Sequence, residues 1–242
     1  MNSLLLAIQF LTRLPIQVDT EFNEKEAGKS LFWFPWIAFV MGAVVGFVNN
    51  FFYDVGPLFG AFSGILAWYL LNGGLHMDGL MDTADGFLSN RERDRVVEIM
   101  HDSTIGVFAV LALVLVVLGK FSVLASVAIQ PVEMGIFFAS VRMGVLTAIH
   151  YFPSASSSSM GNFFKRGASK NSYYLQWLIL AAIILFTRGK SFLFFPVAAC
   201  LWGALLSRLS VRKIGGLTGD VYGAIVETGE LFMLILFGVF FS

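Results

Sequence analysis

Ile105-Gly-Val-Phe-Ala-Val-Leu-Ala-Leu-Val-Leu-Val-Val-Leu-Gly-Lys-Phe-Ser-Val-Leu-Ala-Ser-Val-Ala-Ile129 decides the fold. The run carries a single charge, Lys120, and about 20 apolar residues suffice to cross a bilayer. Further apolar runs occupy 31–53 and 57–75 before it, and 132–152, 173–187, 191–206 and 224–241 after it. Together they predict an all-α, polytopic integral membrane bundle of about seven transmembrane helices, forming one domain over residues 1–242. Lys120 predicts a break or kink in its own span. The runs 173–187 and 191–206 are short and read as a tight pair or a re-entrant element. Residues 1–14 are too few to span, and no basic segment precedes them as in a signal peptide. They predict an interfacial or re-entrant helix.

Composition agrees. The chain has 242 residues, 57% hydrophobic, with 26 Phe and only 13% charged, against about 25% charged in soluble domains. Mean hydropathy is +0.78. These values exclude a soluble enzyme, a nucleic-acid binder and a disordered chain. Sixteen basic residues balance sixteen acidic ones, so net charge implies no polyanionic partner. The one cysteine, Cys200, lies in an apolar run and reads as a small buried hydrophobe.

The basic residues set the orientation, because cytoplasmic loops carry the excess of Lys and Arg. Seven crossings place Arg13, Lys25, Lys29, Arg91, Arg93, Arg95, Lys165, Arg166, Lys170, Arg208, Arg212 and Lys213 on one side. The other side receives Arg188 and Lys190, while Lys120 and Arg142 fall inside spans. The first side is therefore expected to be cytoplasmic. It also receives the long polar loops 76–104, 153–172 and 207–223, so an active face there would draw substrate from the cytosol.

The most informative polar stretch is Asn72-Gly-Gly-Leu-His-Met-Asp-Gly-Leu-Met-Asp-Thr-Ala-Asp-Gly-Phe87. Asp78, Asp82 and Asp85 recur at i, i+4 and i+7, one helical face, where like charges repel. No basic residue sits at helical spacing within the motif, and a hard divalent cation, Mg²⁺ or Mn²⁺, would relieve the repulsion. The bland reading is a solvated acidic helix start. Against it stand Gly73, Gly74, Gly79 and Gly86, which permit close backbone approach. His76 reads equally as a phosphate or proton-transfer contact and as a satisfied interfacial histidine. Downstream, Ser89 or Asn90 is expected to cap an amphipathic helix whose end brings Asp102 back toward the aspartates. Arg91, Arg93 and Arg95 alternate with acids and read as a solvated anchor.

Charges inside spans are costly and point to function by default. Arg142 offers a bidentate fork for phosphate or carboxylate. For both Arg142 and Lys120 the alternative is an ion pair inside the bundle, with Glu227 and Glu230 as partners or further metal ligands. The stretch 212–227 holds Arg212 and Lys213, then Gly215, Gly216, Gly219 and Gly223, whose backbone amides are expected to cradle an anion. Asp220 and Glu227 share a helical face there. The loop 153–172, with Ser154 and serines at 156–159, reads as flexible; its Lys165, Arg166 and Lys170 either touch an anionic substrate or obey the charge rule.

Five segments carry a resemblance: Phe10-Leu-Thr-Arg-Leu-Pro15, Gly73-Gly-Leu-His-Met-Asp-Gly-Leu-Met-Asp-Thr-Ala-Asp-Gly86, Arg93-Asp-Arg-Val-Val-Glu-Ile-Met-His-Asp-Ser103, Ile105-Gly106 and Gly215-Gly-Leu-Thr-Gly-Asp-Val-Tyr-Gly-Ala-Ile-Val-Glu227. The chain resembles, over essentially its full length, the cobalamin (5′-phosphate) synthase family of adenosylcobinamide-GDP ribazoletransferases. The resemblance implies a Mg²⁺-dependent membrane transferase of the last steps of adenosylcobalamin assembly. Such an enzyme joins adenosylcobinamide-GDP to α-ribazole or its 5′-phosphate and releases GMP. It implies metal-binding or catalytic roles for Asp78, Asp82 and Asp85, with His76, Asp102, Asp220 and Glu227 in support. Expected substrate contacts are Arg13, Lys120, Arg142, Arg212, Lys213, Gly215, Gly216 and Thr218. A bacterial or archaeal cytoplasmic (inner) membrane is implied, with a homo-oligomer or a complex with other cobalamin-assembly enzymes left open. Two alternatives stand beside it. One is a CDP-alcohol-type phosphotransferase, which needs more widely spaced aspartates. The other is an ion-coupled transporter using Lys120, Arg142, Glu227 and Glu230, although no repeat relates the two halves.

Overall fold

The structure, a computed structural model, describes residues 2–15, 23–156 and 160–241. Among these residues the chain forms twelve α-helices and one 3-10 turn, and its one β-feature is a bridge between Ser154 and Leu217. The helices are α1 (Asn2–Leu11), α2 (Glu24–Ser30), α3 (Phe34–Tyr53), α4 (Pro57–Asn72), α5 (Leu75–Leu88) and α6 (Arg93–Met100). They continue with α7 (Val107–Ser126), α8 (Pro131–Tyr151), α9 (Met160–Gly167), α10 (Lys170–Thr187), α11 (Phe194–Ile214) and α12 (Gly219–Phe240).

Five segments are long and apolar enough to cross a membrane: α3, α7, α8, α12 and the stretch Lys190–Ile214 that contains α11. A sixth arises if α4 and α5, bent by 91°, count as one broken span. By length and hydropathy alone, five or six segments qualify against the about seven expected. The apolar run 57–75 turns at its end, and α10 opens with Lys170, Asn171 and Ser172, which lower its hydropathy. By path, α10 nonetheless runs the length of α8. At one end Tyr174 meets Tyr151 (hydroxyls 3.0 Å apart), and at the other Arg188 meets Glu133 at 3.4 Å.

α8 is the axis of the bundle, buried along nearly its whole length. Small residues let its neighbours approach, as membrane helices require in the absence of a hydrophobic drive between them. A Cβ on Gly42 of α3 would stand 2.5 Å from the Met134 carbonyl, and one on Gly203 of α11 would stand 2.7 Å from that of Gly144. Outward-facing positions are apolar: Phe47, Phe62, Leu70, Leu115, Leu118, Leu178, Phe186, Leu201 and Val239 are all exposed. An apolar belt of this extent suits lipid rather than water.

Several expected boundaries move. α7 runs unbroken through Lys120, whose charge is met inside the bundle. The loop 207–223 shrinks to four residues, because α11 continues to Ile214 and α12 begins at Gly219. The helix expected from Ser89 or Asn90 starts at Arg93, since Ser89 closes α5 and Asn90 takes a left-handed φ of 52°. Loop 153–172 contains α9, and its serines at 157–159 lie outside the described residues. α1, ten residues long, packs Phe10 on Phe34 and Phe164.

Candidate functional site

The site begins with two successive glycines. Gly73 (φ 66°) ends α4 and Gly74 (φ 74°) opens α5, both left-handed, where a side chain is disfavoured. Asn72 Oδ1 accepts the Gly74 amide at 2.8 Å, and the Arg13 amide donates to the Leu71 carbonyl at 2.9 Å. These contacts fix the 91° corner and turn α5 out of the α4 direction. Arg13 lies over Gly73: a Cβ there would fall 2.1 Å from its side chain. Arg13 therefore braces the corner and lines a separate groove with Pro15 and Asn72.

α5 then crosses the first turns of α12 at very close range. A Cβ on Gly79 would stand 2.8 Å from Asp220 Cα, and one on Gly223 would stand 2.8 Å from the His76 carbonyl. The crossing gathers Asp78, Asp82 and Asp85 with Asp220, and the α6–α7 connection adds Asp102. These five aspartates line one cleft of about 500 Å³, together with His101, Ser103 and Thr104. Asp102, expected to fold back toward the aspartates, does so.

The carboxylates are not equivalent. Asp85 is committed to backbone: its oxygens accept the amides of Gly106 (2.6 Å) and Ala109 (2.9 Å), capping α7. Asp102 accepts the Thr104 amide at 2.9 Å, and hydrogen bonds from Thr104 hold its carboxyl below the usual range. Asp82 lies on α5, the second arm of the bent α4–α5 pair. Asp82 is half-buried in the cleft, with Asp78, Asp85 and Asp220 as like-charged neighbours. Thr218 caps α12, and its hydroxyl lies 3.3 Å from Asp220 Oδ2.

Beside the cleft lies a second cavity of about 190 Å³. Asp78 and Asp220 line both. His76 and Arg142 line this recess, and each has a buried polar atom without a hydrogen-bond partner, Nδ1 and Nε respectively. His76 is buried there, on the first turn of α5.

Other expected site residues stand elsewhere. Lys120 and Glu227 form an ion pair at 2.6 Å inside the bundle, joined by Lys120–Glu230 at 3.3 Å and Arg142–Glu230 at 3.0 Å. The Tyr69 hydroxyl donates to Glu227, and Lys120 sits 4.0 Å over the Trp68 ring. Two cations and two anions balance, and in a medium of low dielectric that pairing keeps them from the aspartates. Glu227 is thus placed away from the metal set and Lys120 away from substrate. Gly215 (φ 81°) turns the chain after α11, and Gly216 packs on Ser154 and Ala155. The Leu217 amide donates to Pro153, so the glycine loop is a packing seam rather than an open anion cradle. Arg212 is exposed and Lys213 half-buried, and neither lines cleft or recess. Lys165 donates to the Phe152 carbonyl and Arg166 pairs with Glu24.

Sequence reasoning missed His101 in the cleft and the aromatic wall of the recess, Phe10, Phe34 and Phe164. His101 carried a signal, adjacency to Asp102. The three phenylalanines come from the N-terminal segment, the run 31–53 and the loop 153–172, and nothing in the sequence brings them together.

Fold and site together define a class: a polytopic helical membrane protein with an acidic cleft at one end of the bundle. The family model for cobalamin-5-phosphate synthase matches residues 3–238. Similar proteins include the adenosylcobinamide-GDP ribazoletransferases of Clostridium acetobutylicum (32% identical, covering 96% of this chain and 94% of the relative) and Clostridium botulinum strain Okra (34%, covering 98% and 97%). That of Treponema denticola is 31% identical, covering 97% and 96%. No solved structure matches. The chain belongs to the cobalamin-5-phosphate synthase family and is an enzyme.

Proposed function

We propose that this enzyme joins adenosylcobinamide-GDP to α-ribazole or its 5′-phosphate, with release of GMP, at the cytoplasmic face of the membrane. One observation carries the reading: aspartates from α5, the α6–α7 connection and α12 converge on a single open cleft. Phosphoryl transfer asks for positioning and charge neutralisation more than for covalent chemistry.

Among the described residues no three His, Cys, Asp or Glu groups form a ready-made metal cage. That donor set still suits Mg²⁺, which is commonly held by one or two carboxylates plus substrate phosphates. Asp78, Asp82, Asp102 and Asp220 would hold it, and when bound it would neutralise charge on the phosphate oxygens. In the transfer, a ribose hydroxyl oxygen forms a bond to the phosphorus carrying cobinamide. The bond from that phosphorus to the GMP oxygen breaks, and GMP leaves with the electron pair. The hydroxyl proton passes to a cleft carboxylate, with Asp78 and Asp220 placed on the wall shared with the recess.

The test is GMP release from adenosylcobinamide-GDP by the purified chain, with and without α-ribazole and Mg²⁺. Release that needs both supports the reading, and none under any condition overturns it. Asp82→Asn is expected to lower turnover roughly 100-fold or more, with an unchanged melting temperature.

A further inference from the structure

We propose that the recess beside the acidic cleft seats the base of the acceptor nucleoside, a two-ring heteroaromatic with one free ring nitrogen. The inference rests on the reaction proposed above and adds where one of its two substrates lies. The recess is formed where α1, α3, α5, α8, α9 and α12 meet. Its walls include Phe10, Phe34 and Phe164 together with Val145, Ile149 and Val226. Phe10 stacks on Phe34 with centroids 5.8 Å apart, and Phe164 meets both edge-on. Such a wall offers ring faces and edges to a flat apolar guest.

The two polar groups in this wall narrow the guest further. His76 and Arg142 are each more than nine-tenths buried, and each holds an unpartnered nitrogen. Buried polar atoms nearly always have partners, so two orphans on one apolar recess call for a ligand atom. Arg142 is tethered through another nitrogen to Glu230, which fixes its guanidinium at the recess. Its Nε–H donates, and His76 Nδ1 stands beside it without a partner. A benzimidazole-type base, with one ring-nitrogen acceptor and an apolar edge, fits that supply.

The other parts of the substrates fit poorly. Guanine carries donors and acceptors around most of its edge and would leave several stranded among phenylalanines and valines. A corrin macrocycle is far larger than the 190 Å³ available. Position agrees with chemistry. Asp78 and Asp220 form the wall between recess and cleft, so a nucleoside with its base in the recess presents its ribose at the carboxylates.

The experiment uses the detergent-purified full chain and two substitutions that narrow the recess without touching an aspartate, Val145→Phe and Ile149→Phe. Phe10→Leu, which widens it, serves if either narrowed variant fails to fold. GMP release is measured against α-ribazole, against the unmethylated benzimidazole riboside and against the donor. The narrowed variants are expected to raise KM for α-ribazole at least about tenfold and to leave donor KM within about twofold. They should suffer less with the unmethylated base. The widened variant should shift preference toward a bulkier base. Unchanged acceptor KM, a rise in donor KM instead, or equal losses for both bases would overturn the assignment. Equilibrium dialysis of α-ribazole against wild type and variants separates the two ideas. Should wild type release no GMP, the reaction fails, and weaker α-ribazole binding by Val145→Phe still supports the seat while equal binding removes it.

Discussion

At the residue scale, three aspartates of one motif have three different jobs. Asp82 faces the cleft among like charges, Asp78 stands exposed at the wall between cleft and recess, and Asp85 is spent on the amides of Gly106 and Ala109. Sequence spacing puts all three on one face and cannot tell them apart, because the partner amides of Asp85 lie 21 and 24 residues away. The difference is testable. Asp85→Ala should lower stability by about 1–3 kcal/mol, the cost of leaving the part-buried Gly106 and Ala109 amides without an acceptor, read as an earlier thermal transition in detergent. Asp82→Asn should leave that transition in place while turnover falls. A matching stability loss at Asp82 would show both to be structural. The buried ions invite a second measurement. Lys120→Met strands Glu227 and should cost about 3–5 kcal/mol, whereas Lys120→Met with Glu227→Gln should recover most of it. A double variant as unstable as the sum of the singles would mean the pair does not interact.

At the element scale, the crossing of α5 over α12 makes the site. Two glycines, Gly79 and Gly223, hold the helices close enough that Asp220 joins the α5 aspartates. Gly223→Ala puts a methyl 2.8 Å from the His76 carbonyl and 3.2 Å from Gly79 Cα. Both are helix backbone and cannot swing aside, so α5 must lift. Activity is expected to fall by about tenfold or more, since a displacement near 1 Å can cost 10²-fold, while the fold persists. Steady-state kinetics beside a thermal melt would check it; full activity would mean that α5 and α12 tolerate a wider gap. The glycines of the motif were legible as points of close approach, and the aspartates as a single face. The 91° corner was not, because left-handed Gly73 and Gly74 could equally have ended a helix without redirecting the chain. Nor was the seam of Gly215 and Gly216 against 153–155, where an open loop and a packed one share the same composition.

For the whole molecule, chemistry and charge collect at one end. The acidic cleft sits among chain segments bearing twelve of the sixteen basic residues, and the opposite end is marked by the Arg188–Glu133 clasp and the α3–α4 turn. This end-to-end division was legible from the basic residues alone, since it needs only the order of apolar runs. Which helices complete the crossing was less so: α10 follows α8 from end to end without the hydropathy of its neighbours. If the basic end faces the cytoplasm, as the distribution of Lys and Arg demands, exposed positions at the two ends must differ in access. Asp54, between α3 and α4, and Glu92, just before α6, are both exposed and outside cleft and recess. With Cys200 replaced by serine, Asp54→Cys should react with a membrane-impermeant thiol reagent on intact cells. Glu92→Cys should react only after the cells are opened. The reverse pattern would put the cleft outside, where a nucleotide-activated donor made in the cytosol could not reach it.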